Sequence, residues 1–199
     1  GRQGPNTLAT RITTVSNERV TIRLTRPQQV ERNRTLLLDA ARRTFLARGY
    51  AGATIDGIAE EAGFSKGVVY SQFAGKADLF MALLAERVEW RAAENDRLVE
   101  DHRGAGALVA LMRASERRSS EDAGWARLLI EFRVAAARDP ELNQRYAALH
   151  AHSVARLADS MAAALAKDGV RPAFPPRTFA QLIFALNSGA VLEQAADPA

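Results

Sequence analysis

The residues best equipped for chemistry lie close together: Thr54, Ser65, Lys66, Gly67, Val68, Tyr70, Ser71 and Gln72, with Lys76 just beyond. The set holds hydroxyls, an ammonium and an amide but no nucleophile with a base beside it, so its chemistry is non-covalent recognition of a polyanion. Ser65 and the amides that follow it can grip a phosphate. Lys66 can reach a phosphate or a guanine edge, Val68 can meet a thymine methyl, and Gln72 carries the donor and acceptor needed to read a base edge. Gly67 lets a backbone come near, and the Tyr70 hydroxyl suits a phosphate. Lys76 opens a helix, where its charge opposes the helix dipole. A phosphate contact is the expected reason for it.

Two short helices must position this set. Thr54 is a good N-cap for one that runs through Ile55, Ile58, Ala59 and Ala62 to Gly63, and Ser65 caps another reaching Gln72. Ala59 is small where the second helix approaches, and Gly63 permits the positive φ of a tight turn. Ile55, Ile58, Ala62, Val69 and Phe73 supply a core beneath both helices. Ser65 to Val68 and Tyr70 to Gln72 are left to face outward, the pattern of a helix-turn-helix.

The rest of the chain reads as helix. Leu37, Ala40, Ala41 and Phe45 fall on one face of a helix from about Gln28 to Arg48, stopped by Gly49. A fourth helix starts near Lys76 and runs to about Glu100. Others are predicted over Ala105–Arg118, Asp122–Ala137, Pro140–Lys167 and Pro176–Gln194, with breaks at Ser119-Ser120, Asp139-Pro140 and Asp168–Pro176. The fold class is all-α: a small three-helix unit over residues 28–75, then a larger bundle over 76–199. Residues 1–27 read as an extended, basic arm closed by Pro27, in which Val20, Ile22 and Leu24 alternate with polar residues but have no strand to pair with.

Composition narrows the function. The 199 residues contain no cysteine, which removes disulfides, thiolate metal sites and cysteine nucleophiles, and fits a cytoplasmic protein. No apolar run approaches the roughly 20 residues of a membrane span. Of the net +4, residues 1–26 supply five Arg against Glu18, residues 27–76 seven basic against five acidic groups, and the remainder fifteen against seventeen. Positive charge therefore gathers toward the N-terminus, as a polyanion partner requires. For the arm, simple solvation and entry into a DNA minor groove both remain open. No phosphate-binding Gly loop, HExxH or G-x-S-x-G elbow is present, and carboxylates such as Glu131 form no acid–base pair by spacing. An enzyme is not expected, nor is a cofactor. His150 and His152 lie about 200° apart on a helix and cannot share a metal by that spacing. A non-specific architectural DNA binder is the other rival reading, with the basic arm as its best argument.

Arg43–Leu84 resembles the tetracycline-repressor (TetR) family. The matching residues are Phe45, Gly49-Tyr50, Thr54, Ile58-Ala59, Ala62-Gly63, Ser65-Lys66-Gly67, Val69-Tyr70, Phe73, Lys76 and Leu79-Phe80. The resemblance implies a homodimer that binds double-stranded operator DNA through an N-terminal domain and is released by a small-molecule ligand held in the C-terminal bundle. It further implies a ligand cavity, to which Trp90, Trp125, Phe132, Tyr146, Phe184 and Asn187 are assigned; aromatic residues at helical spacing equally suit a core. A dimer seam is implied too. Phe179, Leu182, Ile183, Leu186, Ala190 and Val191 form a stripe that, with small Gly189, must be shared between core and seam, and the sequence does not divide it. The arm is longer than the family's usual one, and the chain ends at Ala199 after what the resemblance makes the penultimate helix.

Overall fold

The computed structural model describes residues 25–102, 104–121 and 123–196, so the arm expected over 1–27 lies almost wholly outside the described residues. The described residues form helices joined by short turns, with no strand among them. In order these are α1 (Arg26–Gly52), α2 (Ile55–Glu61), α3 (Lys66–Tyr70), α4 (Lys76–Asp101), α5 (Gly104–Glu121), α6 (Ala123–Ala136), α7 (Pro140–Ala166) and α8 (Pro176–Ala196). The all-α reading is borne out.

Local chemistry explains most boundaries. The Gln28 backbone N–H donates to Thr25 Oγ1 at 3.4 Å and the Thr25 N–H donates to Gln28 Oε1 at 2.9 Å, a reciprocal capping box. α1 therefore begins two residues before the expected Gln28. Pro27 does not close an arm; it sits in the first turn, where a missing N–H costs nothing. Gly49 (φ 70) breaks α1 as expected. Asp139 caps α7 by accepting the N–H groups of Glu141 and Leu142, both at 3.1 Å, and Pro140 follows at a first-turn position. The break expected at Ser119-Ser120 is absent, because α5 continues to Glu121.

One core spans the boundary expected at residues 75 and 76. Leu37, Phe45, Ile58, Val69 and Phe73 from the first three helices pack with Leu79 and Phe80 of α4, Trp125, Leu128 and Phe132 of α6, and Tyr146 of α7. Rings carry the continuity. Phe80 lies 5.2 Å from Phe45 and 4.4 Å from Phe132, and Tyr50 meets Phe132 edge-on at 5.1 Å. The N-terminal helices are thus seated on the bundle rather than tethered to it. Smaller clusters, Val99 with Leu111 and Met161, and Val154 with Ala158 and Ala180, hold the far ends of α4, α5, α7 and α8.

Candidate nucleic-acid interface

α2 and α3 present a polar surface on a buried base. Thr54 begins α2 by accepting the Gly57 N–H through Oγ1 at 3.1 Å, and its own carbonyl accepts from Ile58 at 3.0 Å. The turn follows at once, with Phe64 N–H on the Ala59 carbonyl at 2.9 Å and Gly63 at φ +72. A Cβ on Gly63 would meet nothing within 4 Å, so the glycine is required by conformation and not by crowding. Ile58, Ala59 and Val69 are buried as expected, and Phe73 closes the underside beneath the Arg34 guanidinium at 4.8 Å.

On the outer side, Ser65, Lys66, Gly67, Tyr70 and Ser71 are exposed. Ser65 occupies the N-cap of α3 but its hydroxyl makes no capping bond. Among the described residues a Cβ on Gly67 would touch only Ser65 Oγ, at an ordinary 3.8 Å, so no crowding there requires a helix-weakening glycine. Tyr70 keeps about half its area open (53%). Ser71 donates to the Val68 carbonyl at 2.7 Å. Lys66 is held by Asp56 of α2 at 2.6 Å, a contact that raises its pKa through the hydrogen bond and then the charge.

Three expectations for this surface need correction. Val68 is half-buried against the core rather than outward-facing, because the five residues of α3 make little more than one turn and leave few fully free faces. Gln72 is also half-buried, and its Oε1 is buried without a hydrogen-bond partner among the described residues, so in this conformation it presents no open acceptor. Lys76 has an internal role: its ammonium donates to the Tyr50 carbonyl at 2.8 Å and the Ala51 carbonyl at 3.3 Å, and lies 4.7 Å from the Tyr50 ring centre. Desolvation lowers its pKa. It caps the C-terminal end of α1, and this fixes α1 to the start of α4.

Behind this surface the bundle contains two adjoining cavities. The larger, about 510 Å³, lies between α4, α5, α7 and α8, and the smaller, about 60 Å³, between α4, α6, α7 and α8. Of the six residues assigned to a cavity, Trp125 and Tyr146 line the smaller, Asn187 the larger and Phe184 both. Phe132 is wholly buried in the core beneath them. Trp90 lines neither: it is 57% exposed on the outer face of α4, about 200° around the helix from the cavity-lining Val88. The sequence reading missed Arg87, Arg91, Arg133 and His150, all on the wall of the smaller cavity. Arg87 and Arg91 stand in helical register with Leu84 and Val88, and that register was the available signal. His150 stacks on Tyr146 at 5.9 Å and meets Phe184 edge-on at 5.3 Å. Burial, and then the Arg133 charge, hold its pKa below the usual histidine value. His152 instead meets Glu89 at 2.8 Å.

The stripe on α8 divides only in part once it is seen in place, since Phe179 and Leu186 also line the larger cavity. Ala180 is buried and Ile183 half-buried, whereas Phe179, Leu182, Leu186 and Ala190 are exposed and Gly189 is half-exposed. Leu182 and Leu186 keep 54% and 71% of their area. Among the described residues no helix is long and apolar enough to cross a membrane, and no three metal-ligating side chains gather.

Two short helices joined by a tight turn, each buried along one side, and backed by a cavity-bearing bundle, define a helix-turn-helix protein with a second helical domain. Residues 37–83 match the family described as bacterial regulatory proteins, tetR family, and residues 104–199 match the C-terminal domain described as BetI-type transcriptional repressor. The chain belongs to the TetR family of bacterial regulators. It is similar to the HTH-type transcriptional regulator SrpR of Pseudomonas putida, 42% identical over 59 residues that make up 30% of this chain and 28% of that protein. The chain matches less than half the length of the curated relatives it resembles. Among solved structures, a TetR-family regulator from Rhodococcus superposes with a TM-score of 0.69 at 22% identity, covering 82% of this chain and 87% of that one. SmeT of Stenotrophomonas maltophilia in complex with triclosan superposes with a TM-score of 0.60 at 24% identity, covering 84% and 82%. These likenesses show the fold.

Proposed function

We propose that this chain is a transcriptional repressor that binds a palindromic operator as a homodimer through α2 and α3, and leaves it when a small molecule enters the bundle. The observation that carries the reading is the outer face of α3. An uncapped Ser65 hydroxyl, a glycine at position 67 that no crowding requires and an open Tyr70 all weaken or fail to help the helix, and all suit close approach of a phosphate backbone. Thr54, Ser65, Lys66, Gly67, Tyr70 and Ser71 are the contacts proposed. Val68 and Gln72 would reach bases only after α3 adjusts against DNA.

The exposed α8 residues Phe179, Leu182, Leu186, Gly189 and Ala190 are proposed as the seam between two copies. Binding to two half-sites requires an isologous pairing that sets two copies of α3 about 34–36 Å apart, one turn of DNA, or at a multiple of it. α4 connects ligand to DNA. Its Arg87, Val88 and Arg91 line the cavities, its Phe80 packs beneath the helix-turn-helix, and its Lys76 holds the end of α1. A ligand that displaces α4 therefore moves the base on which α2 and α3 stand. SmeT, a neighbour in fold, has been seen with triclosan, which supports a small molecule as the effector here. No catalysis and no resident cofactor are needed, and the work belongs in the cytoplasm with the chromosome. Selection of bound duplexes from a random library tests the reading: enrichment of an inverted repeat supports it, and recovery of unrelated sequences rejects it.

A further inference from the structure

The walls of the two cavities differ in charge. The smaller one is lined by three arginines, Arg87 and Arg91 from α4 and Arg133 from α6, and, among the described residues, by no aspartate or glutamate, although Arg87 and Arg91 each make further interactions. Two of these cations lie over rings: the Arg87 guanidinium is 4.9 Å from the Trp125 ring centre and that of Arg133 is 5.8 Å from Tyr146. Arg133 also donates to Ser188 Oγ at 3.4 Å. In the larger cavity the balance is different. Glu116 is on the wall, Arg118 pairs with Glu94 at 2.5 Å and Arg156 with Asp96 at 2.8 Å, and much of the remaining surface is Leu108, Leu111, Met112, Leu157, Met161 and Ile183.

Val88, Arg91, Ser153 and Phe184 line both spaces, so the cationic end and the apolar body adjoin. About 60 Å³ is several times the roughly 10–15 Å³ of probe volume that one water needs, which leaves room for a carboxylate-sized group. About 510 Å³ falls within the roughly 300–1,000 Å³ usual for small-molecule sites. Arg87 and Arg91 are half-buried and Arg133 is exposed; guanidinium groups gathered on one wall favour an anion through charge-assisted, geometrically matched hydrogen bonds, and repel a cation of the same shape.

We propose that the effector is an amphipathic anion, its carboxylate or similar oxyanion head held by Arg87, Arg91 and Arg133 and its apolar body lying in the larger cavity toward α5. This rests on the effector reading above, and the experiment separates the two. Full-length protein is titrated calorimetrically with decanoate, decanol and decyltrimethylammonium below their micelle concentrations, and each is then added to a protein–operator complex. Decanoate should bind at least about tenfold more tightly than decanol, as expected for hydrogen bonds to a charged group, and decyltrimethylammonium more weakly still. Arg133→Gln should remove most of the preference for decanoate while leaving decanol binding within about twofold, and Arg133→Lys should keep part of it. Melting curves of both variants identify any loss caused by misfolding, in which case Arg91→Gln replaces Arg133→Gln.

Equal or tighter binding of decanol or the ammonium overturns the inference, as does binding by none of the three or a preference unchanged in the glutamine variant. If decanoate binds in the predicted manner yet leaves DNA in place, the anion site stands and the release reading falls. If decanol or the ammonium releases DNA and decanoate does not, release stands and the anion falls.

Discussion

Glu131 of α6 accepts the backbone N–H of Tyr50 through Oε2 at 2.7 Å, across 81 residues of sequence. The bond forms where Gly49 takes φ +70 and leaves the next amide outside the α1 ladder. A Cβ on Gly49 would stand 2.7 Å from the same oxygen, so the glycine serves both the turn and the carboxylate's approach. Glu131→Ala should lower stability by about 1–3 kcal/mol, the cost of a part-buried donor left without its acceptor. Glu131→Gln, which keeps a carbonyl oxygen in place, should recover much of that loss. Gly49→Ala should cost at least about 1 kcal/mol from the left-handed backbone alone. Urea midpoints at constant m-value read all three.

Lys76 makes the second tie at the same helix end, from α4. Lys76→Ala removes the donor to the Tyr50 and Ala51 carbonyls and should cost about 1 kcal/mol. This differs from a surface lysine kept for phosphate, whose loss would leave the melting temperature unchanged. Thermal unfolding without DNA distinguishes the two roles.

Asp56 holds Lys66 in the free protein. Asp56→Asn should therefore tighten DNA binding, since the lysine no longer has to leave a carboxylate and one negative charge is gone from the surface. Lys66→Ala should weaken binding and reduce the salt slope by about 0.9, the value for one lost phosphate contact. Fluorescence anisotropy across a range of salt concentrations measures both, and an unchanged slope in Lys66→Ala would remove the lysine from the interface.

Leu182 and Leu186 project an apolar surface from α8 that the described chain does not cover. Leu182→Glu with Leu186→Glu should convert a dimer into a monomer with little change in secondary structure, and should weaken operator binding by far more than any single contact at α3. Sedimentation velocity gives the assembly state. A wild-type protein that sediments as a monomer at micromolar concentration would refute this seam.

Legibility in the sequence followed the range of the interactions. Thr54, Gly63, Asp139 and Pro140 act within four residues of themselves, and the elements they delimit lie close to the boundaries read from them. The buried set beneath the helix-turn-helix was legible for the same reason, since Ile58, Val69 and Phe73 repeat with the helix. Facing was harder on α3, because a five-residue helix has too little periodicity to separate Val68 and Gln72 from Tyr70. Trp90 was misassigned by residue type, although the buried series Leu84, Val88, Ala92, Asn95 and Val99 on α4 excludes its position. The roles of Lys76 and Glu131 depend on partners 26 and 81 residues away, and no local pattern announces them.

The central claim is that the outer side of α3 reads sequence and does not merely attract phosphate. Its most direct measurement is the ratio of affinities for the duplex enriched by selection and a scrambled duplex of equal length, at one physiological salt concentration. The account predicts a ratio of roughly 10³ to 10⁷ that falls when Gln72 is replaced by alanine, whereas replacing Ser65, Lys66 and Tyr70 weakens both affinities alike. A ratio near one in the unaltered protein, or a large ratio indifferent to the Gln72 replacement, would contradict it.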